Sequence, residues 1–177
     1  MRKGMKNLLR VMLLSFLILF GIQQPYQAQA ASGTIRYEDG ERYVGKYNAK
    51  TERKEGKGKY YCSNGCVITG TWKNDYLTGK ATAVYRNKDK YVGYFKYDQR
   101  NGSGTYTWKN GDRYKGSWKD DVMNGKGKYT WKNKNYVTGT WKNGKLNGKA
   151  TLKIRKYKYS IRVSNGKLKK VYSRKKA

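Results

Sequence analysis

From Gly104 to Lys126 the chain alternates with a period of two. Thr105 and Thr107 are small and polar between Tyr106 and Trp108, Asn110-Gly111 breaks the run, and Tyr114, Gly116 and Trp118 then share one parity. Two short alternating runs on either side of an Asn-Gly pair predict a β-hairpin. The shift that brings Gly93 onto Gly116, and Gly116 onto Gly139, lays this unit on its neighbours. Its kernel, Tyr114-Lys115-Gly116-Ser117-Trp118, returns as Tyr43-Val44-Gly45-Lys46-Tyr47, as Tyr91-Val92-Gly93-Tyr94-Phe95 and as Val137-Thr138-Gly139-Thr140-Trp141, with a shifted copy at Ile68-Thr69-Gly70-Thr71-Trp72. Nine residues after each of the last four kernel glycines stands a second glycine with a small residue two further on: Gly79/Ala81, Gly102/Gly104, Gly125/Gly127 and Gly148/Ala150. In the first unit the pair is Gly56/Gly58, two residues late.

A fixed period in this range is the signature of stacked units, none of which can bury its apolar face alone. The alternation predicts that the kernel glycine is a vacancy in an aromatic face, into which the next unit's ring packs. Tyr43, Gly45, Tyr47, Gly70, Trp72, Tyr91, Gly93, Phe95, Tyr114, Gly116, Trp118, Gly139 and Trp141 form the expected repeat core. Over residues 33–150, Y-x-G-x-W followed by G-x-G resembles the MORN repeat (membrane occupation and recognition nexus). Thr69 in place of the first kernel aromatic, Val137, Ala81 and Ala150 depart from that pattern and are expected to weaken their copies. The expected fold is all-β: an elongated single-layer antiparallel sheet of stacked 23-residue hairpins, ten to twelve strands in all, after an N-terminal signal helix. What the resemblance implies for function is binding or scaffolding, with membrane contact attached to several members.

Residues 1–30 read as a secretory signal peptide: Arg2, Lys3, Lys6 and Arg10, an apolar run from Val11 to Ile22, and Ala28-Gln29-Ala30 as a small-x-small cleavage site. As a helix, a run of that length spans about 18 Å against about 30 Å of hydrocarbon, so a retained N-terminal membrane anchor is the alternative reading. The expected location is therefore secreted or cell-surface. Residues 31–163 make the array and its capping strands, and 164–177 a basic tail that is either frayed or a last edge strand. Cys62 and Cys66 flank Asn64-Gly65 at a hairpin turn. In an exported chain that placement predicts a local disulfide, with two separate thiols as the other reading; two cysteines and no histidine supply too few metal ligands.

Charge changes the picture most. The chain carries a formal +30, and only 37% of its residues are apolar. All 11 acidic residues precede position 122, while the stretch 122–177 holds Lys and Arg alone among charged residues. With no histidine anywhere, His-based acid–base, triad and zinc arrangements are excluded. Asp120-Asp121 and Glu38-Asp39 read as solvated turn residues, and the recurring glycine pairs precede no helix. Neither an enzyme nor a cofactor is indicated. The expected binding residues are Lys126, Lys128, Lys132, Lys134, Lys142, Lys145, Lys149, Lys153, Arg155, Lys156 and Lys158, merging into a stripe. Such a field suits an anionic membrane surface or a cell-wall polymer, with nucleic acid ranked lower. The competing partner is a protein, or a second copy docking on the aromatic sheet, with the charge serving solubility. Stacking on a sugar or base needs rings at the outer parity, and Tyr94, beside Gly93, and Tyr97 are the better exposed candidates.

Overall fold

Each alternating run forms a strand and each polar break a turn. The computed structural model describes residues 30–177; the apolar N-terminal segment, Ala28 included, lies outside the described residues. Thirteen strands follow: β1 (Ala30–Arg36), β2 (Arg42–Asn48), β3 (Lys54–Tyr61), β4 (Val67–Lys73), β5 (Tyr76–Val84), β6 (Lys90–Lys96), β7 (Gln99–Thr107), β8 (Arg113–Lys119), β9 (Val122–Thr130), β10 (Tyr136–Lys142), β11 (Lys145–Ile154), β12 (Tyr157–Ser164) and β13 (Lys167–Lys176). They form one antiparallel sheet in sequence order. The count exceeds ten to twelve because the first unit is preceded by β1 and the basic C-terminal segment forms the edge strand β13.

One residue per strand lines up across the sheet. The row runs Gly33, Gly45, Gly58 and Gly70, then from Ala81 through Gly93, Gly104, Gly116, Gly127 and Gly139 to Ala150, Ile161 and Val171. The ring that fills each glycine vacancy is not the next unit's, as the alternation suggested. It belongs to the same strand: Tyr43, Tyr91 and Tyr114 lie back over the kernel glycine two residues on and over the glycine facing it. A methyl group built on Gly58, Gly104 or Gly127 would collide with that ring. Each hydroxyl then donates to the carbonyl three residues ahead, Lys46 (2.8 Å), Tyr94 (3.1 Å) and Ser117 (3.1 Å).

The next unit's aromatic packs edge-on against this buried ring. Trp72 meets Tyr43 at 5.6 Å, Trp118 meets Tyr91 at 5.4 Å, and Trp141 meets Tyr114 at 5.3 Å. Edge-to-face pairs at this separation contribute about 0.5–1.5 kcal/mol each beyond area burial.

The alanine copies are packed differently from the others. Where the kernel begins with Ile68 or Val137, the vacant volume is filled from the partner strand. Leu77 and Ala81 close on Gly70, and Leu146 and Ala150 close on Gly139. Leu77, Ala81, Leu146 and Ala150 are all buried. Two packings therefore alternate within one backbone: Tyr over a Gly pair, or an aliphatic with Gly, Ala and Leu.

The second glycine of each unit serves the backbone. Gly56, Gly79, Gly102, Gly125 and Gly148 have φ between +69° and +104° and sit in bulges where the register slips. That region excludes most side chains, which is why glycine recurs there. Beyond the bulge, the partner strand places Leu77, Arg100, Met123 and Leu146 opposite Trp72, Phe95, Trp118 and Trp141. Ile161 and Val163 end the buried core, with Tyr159 of the same strand packed against it.

The two packings are expected to be interconvertible. Gly127→Ala alone should lower stability by about 1–3 kcal/mol through overpacking against Tyr114. Adding Tyr114→Val and Met123→Leu should recover most of that loss in a urea denaturation series. A triple variant no more stable than the single would refute this account.

Candidate polyanion-binding face

The turns at the two rims of the sheet determine where charge is free. At one rim the strands join through two-residue turns, Asn74-Asp75, Tyr97-Asp98, Asp120-Asp121, Asn143-Gly144 and Asn165-Gly166, with positive φ at both residues. Their second residue ties one unit to the previous one. The amides of Asp75, Asp98 and Asp121 donate to the carbonyls of Lys54, Leu77 and Arg100, and their carboxylates accept from the same residues' amides at 2.7–3.0 Å. Asp121 also pairs with the Arg100 guanidinium at 2.7 Å, which lies 4.4 Å over Trp118.

At the opposite rim Glu41, Asp89 and Asp112 reach forward. They accept from the hydroxyls of Tyr60, Tyr106 and Tyr129 and from the amides of Ser63, Lys109 and Lys132. In the next unit Asn135 accepts from the Arg155 amide. Cys66 occupies the acid's place in the second unit and is disulfide-bonded to Cys62, with Cα atoms 5.0 Å apart. The residue that would have supplied the tyrosine, Ala83, has no hydroxyl to bind.

These bonds set the protonation behaviour. The Tyr60 hydroxyl and the Ser63 amide hold the Glu41 carboxyl below its usual range. Burial pushes Asp89 up, but the bonds from Tyr106, Lys109 and Asn87 outweigh it and its value falls. Tyr129 and the Lys132 amide lower Asp112. Burial raises Tyr43, Tyr91 and Tyr114 to about 12, and burial with the Asp112 bond does the same for Tyr129.

The acids are thus engaged in holding units together, and the cations past Asp121 have no acidic partner among the described residues. The three ion pairs found there use only Arg53, Lys54 and Arg100. Of the eleven basic residues singled out from the sequence, Lys126, Lys128, Lys142, Lys145, Lys149, Lys153 and Lys158 stand on strands at the parity opposite the core. Lys132, Lys134, Arg155 and Lys156 lie instead in turns at the rim that carries Asp89 and Asp112. On the open face, like charges stand directly opposite one another. Lys115 faces Lys128, Lys149 faces Arg162, and Arg162 faces Lys170; Lys153 faces Lys158, and Lys158 faces Lys175. Tyr136 shares this face, with the Lys128 ammonium 3.9 Å from its ring centre. No group of three or more His, Cys, Asp or Glu side chains among the described residues is arranged to hold a metal.

The MORN repeat profile matches residues 53–67, 69–90, 91–113, 114–136 and 138–156. The chain belongs to the MORN repeat family. The matched span starts after the first kernel, so β1 and β2 extend the MORN array on the N-terminal side. No curated protein matches the chain. Among solved structures, the TCP10 domain of Danio rerio CPAP, determined with a peptide of Danio rerio STIL, is similar at 12% identity and a TM-score of 0.49. The match covers 79% of this chain, which spans 63% of that one. The Drosophila melanogaster SAS-4 TCP domain, determined with a proline-rich motif of Ana2, is 14% identical with a TM-score of 0.25, over 86% of this chain and 96% of that one. A catalytically inactive virginiamycin B lyase from Staphylococcus aureus is 8% identical with a TM-score of 0.21, over 88% of this chain and 73% of that one.

Read as a MORN array, the molecule carries a second periodicity that sequence inspection passed over. Asp75, Asp98 and Asp121, and likewise Asp89 and Asp112, recur at the same spacing as the kernel glycines Gly93, Gly116 and Gly139. Each bonds a residue 17–21 positions away, in a neighbouring unit.

Lowered carboxyl values stabilise the folded state above the unfolded carboxyl range and lose that contribution as pH falls through the folded values. Raised tyrosine values act in the other sense: their contribution is intact below the ordinary 10.0 and is lost as pH rises towards about 12. The urea midpoint is therefore expected to be flat from about pH 5 to 9 and to fall on both sides. Asp112→Asn, the residue type found at 135, should blunt the acid arm and, because the Asp112 carboxylate also helps raise Tyr129, soften the alkaline arm as well. An unchanged acid arm would remove Asp112 from this role.

Proposed function

We propose that this MORN array is a non-enzymatic binding module whose open face engages extended polyanions, namely anionic lipid headgroups or polymers of the cell surface. The observation that carries the reading is the direct opposition of basic residues on adjacent strands from β8 to β13. Like charges directly across a sheet destabilise it, by about 0.2–1 kcal/mol per pair, and no acid on this face offsets them. An anionic chain lying across the strands would relieve that repulsion along its whole length. The signal-like pattern of residues 1–30 supports an exported, surface-associated location. Docking through the aromatic sheet is the less supported reading, because Tyr43, Tyr91 and Tyr114 are fully buried and Trp72 and Trp118 nearly so.

The test is co-sedimentation of the full-length chain with phosphatidylglycerol or phosphatidylcholine vesicles, and with poly(glycerol phosphate), at low and high salt. Binding to the anionic partners alone, lost at high salt, is expected. Lys149, Lys153, Lys158 and Arg162, all changed to Thr, should weaken it by about 1 kcal/mol per cation near the surface. The same variant should melt no lower than the parent, since the opposed charges are gone. Binding that ignores salt, or survives these four changes, would refute the proposal.

A further inference from the structure

Three tyrosines converge at one step of the array where the repeat pattern calls for none. Tyr76, Tyr94 and Tyr97 are 50%, 48% and 66% exposed, among the largest exposed apolar groups of the molecule. At the equivalent positions the other units carry Gln99, Val122 and Lys145; Thr71, Ser117 and Thr140; and Asn74, Asp120 and Asn143. None of these is aromatic, so the hairpins fold and stack without a ring at any of the three places.

Tyr97 is the sharpest departure. It is the first residue of a two-residue turn at φ +49°, where the other such turns place Asn or Asp. Long side chains occupy this region elsewhere, at Lys88, Lys134 and Arg155, but among the described residues Tyr97 is the one aromatic that does. Its ring meets that of Tyr76 at 5.7 Å and 87°, forming a corner and not a flat platform. The corner opens on a groove of about 650 Å³, which Tyr94, Thr78, Asn74 and Asn101 also line together with Lys73 and Lys96, the Lys96 ammonium lying 5.7 Å from the Tyr97 ring centre. The volume falls within the usual range for small-ligand sites, and aromatic rings meet there with amides, a hydroxyl and two ammonium groups.

The geometry points to a glycan-binding site at this corner, taking a pyranose chain whose hydroxyls can also accept from Lys73 and Lys96. A pyranose presents C–H faces on more than one side, which suit two rings set at right angles, while its hydroxyls suit the amide and hydroxyl groups of Asn74, Asn101 and Thr78. A nucleobase offers two parallel flat faces and would favour rings parallel to it, not a right-angled corner. The site is separate from the basic strands β8 to β13 and does not rest on polyanion binding.

The test uses neutral probes, so that the basic face does not contribute: chitotetraose, cellotetraose and thymidine, titrated against the isotope-labelled full-length chain by heteronuclear NMR. Saturable shifts centred on Tyr76, Tyr94 and Tyr97 with either tetrasaccharide are expected. The triple variant Tyr76→Gln, Tyr94→Thr, Tyr97→Asn installs residues already used at those repeat positions. It should weaken sugar binding by roughly tenfold or more, as loss of stacking rings does, without lowering the melting temperature. The proposal is overturned by saturation with neither sugar, by undiminished binding in the variant, or by thymidine binding more tightly than both.

Discussion

The array depends on a tyrosine folding back over two glycines. Tyr43, Tyr91 and Tyr114 can be fully buried in a single-layer sheet only because neither the glycine two residues ahead nor the one facing it projects a Cβ. The ring lies flat along its own sheet and presents an edge to the tryptophan of the following unit, and its hydroxyl finds a carbonyl within the same strand. A thin sheet with little aliphatic material thereby acquires a continuous core, each ring covered by the next. The same cavity filled by Leu77 with Ala81, or by Leu146 with Ala150, shows that volume is what must be conserved at this place and that the identity of the occupant is not.

That constraint also shapes the electrostatics. Stacking units side by side leaves the loop ends of adjacent hairpins to be joined, and in the N-terminal part of the sheet carboxylates do the joining. Asp75, Asp98 and Asp121 are absorbed at one rim, and Glu41, Asp89 and Asp112 at the other. Towards the C-terminus Asn135 and Gly144 take over equivalent places, and the junctions persist there without negative charge. The lysines of the later strands are therefore uncompensated because the clamps beside them are neutral, not because the fold itself changes.

The architecture was legible from Tyr114, Gly116 and Trp118, since period-two alternation and the shift from one kernel glycine to the next both follow from the residues alone. The last strand was legible only as one of two alternatives, edge strand or frayed tail, because Lys167 to Lys176 lacks the aromatic and glycine marks by which the other strands are recognised. The owner of the ring over each glycine was equally hidden: alternation assigns a face to Tyr91, while the direction in which the ring leans depends on the space left by Gly93 and Gly104. Of the basic residues, those on strands could be placed by parity. Lys132, Lys134, Arg155 and Lys156 could not, because turn geometry sends them to a rim. The tyrosine corner combined both cases. Tyr94 stood out by parity and Tyr97 as an exposed turn residue, whereas Tyr76 joined them only through the pairing of β4 to β7.

The clamps carry one more implication, for how such a chain can change over generations. Asp75, Asp98 and Asp121 each bond a residue 21 positions earlier, and Asp89 and Asp112 each bond one 17 and one 20 positions later. Duplicating or deleting a segment one repeat long restores every one of these separations at the new junction. Removing a length that is not a whole number of repeats would strand a carboxylate and shift a tyrosine off its glycines. Tandem gain or loss of whole units would thus lengthen or shorten the array from within while keeping the joints as they are.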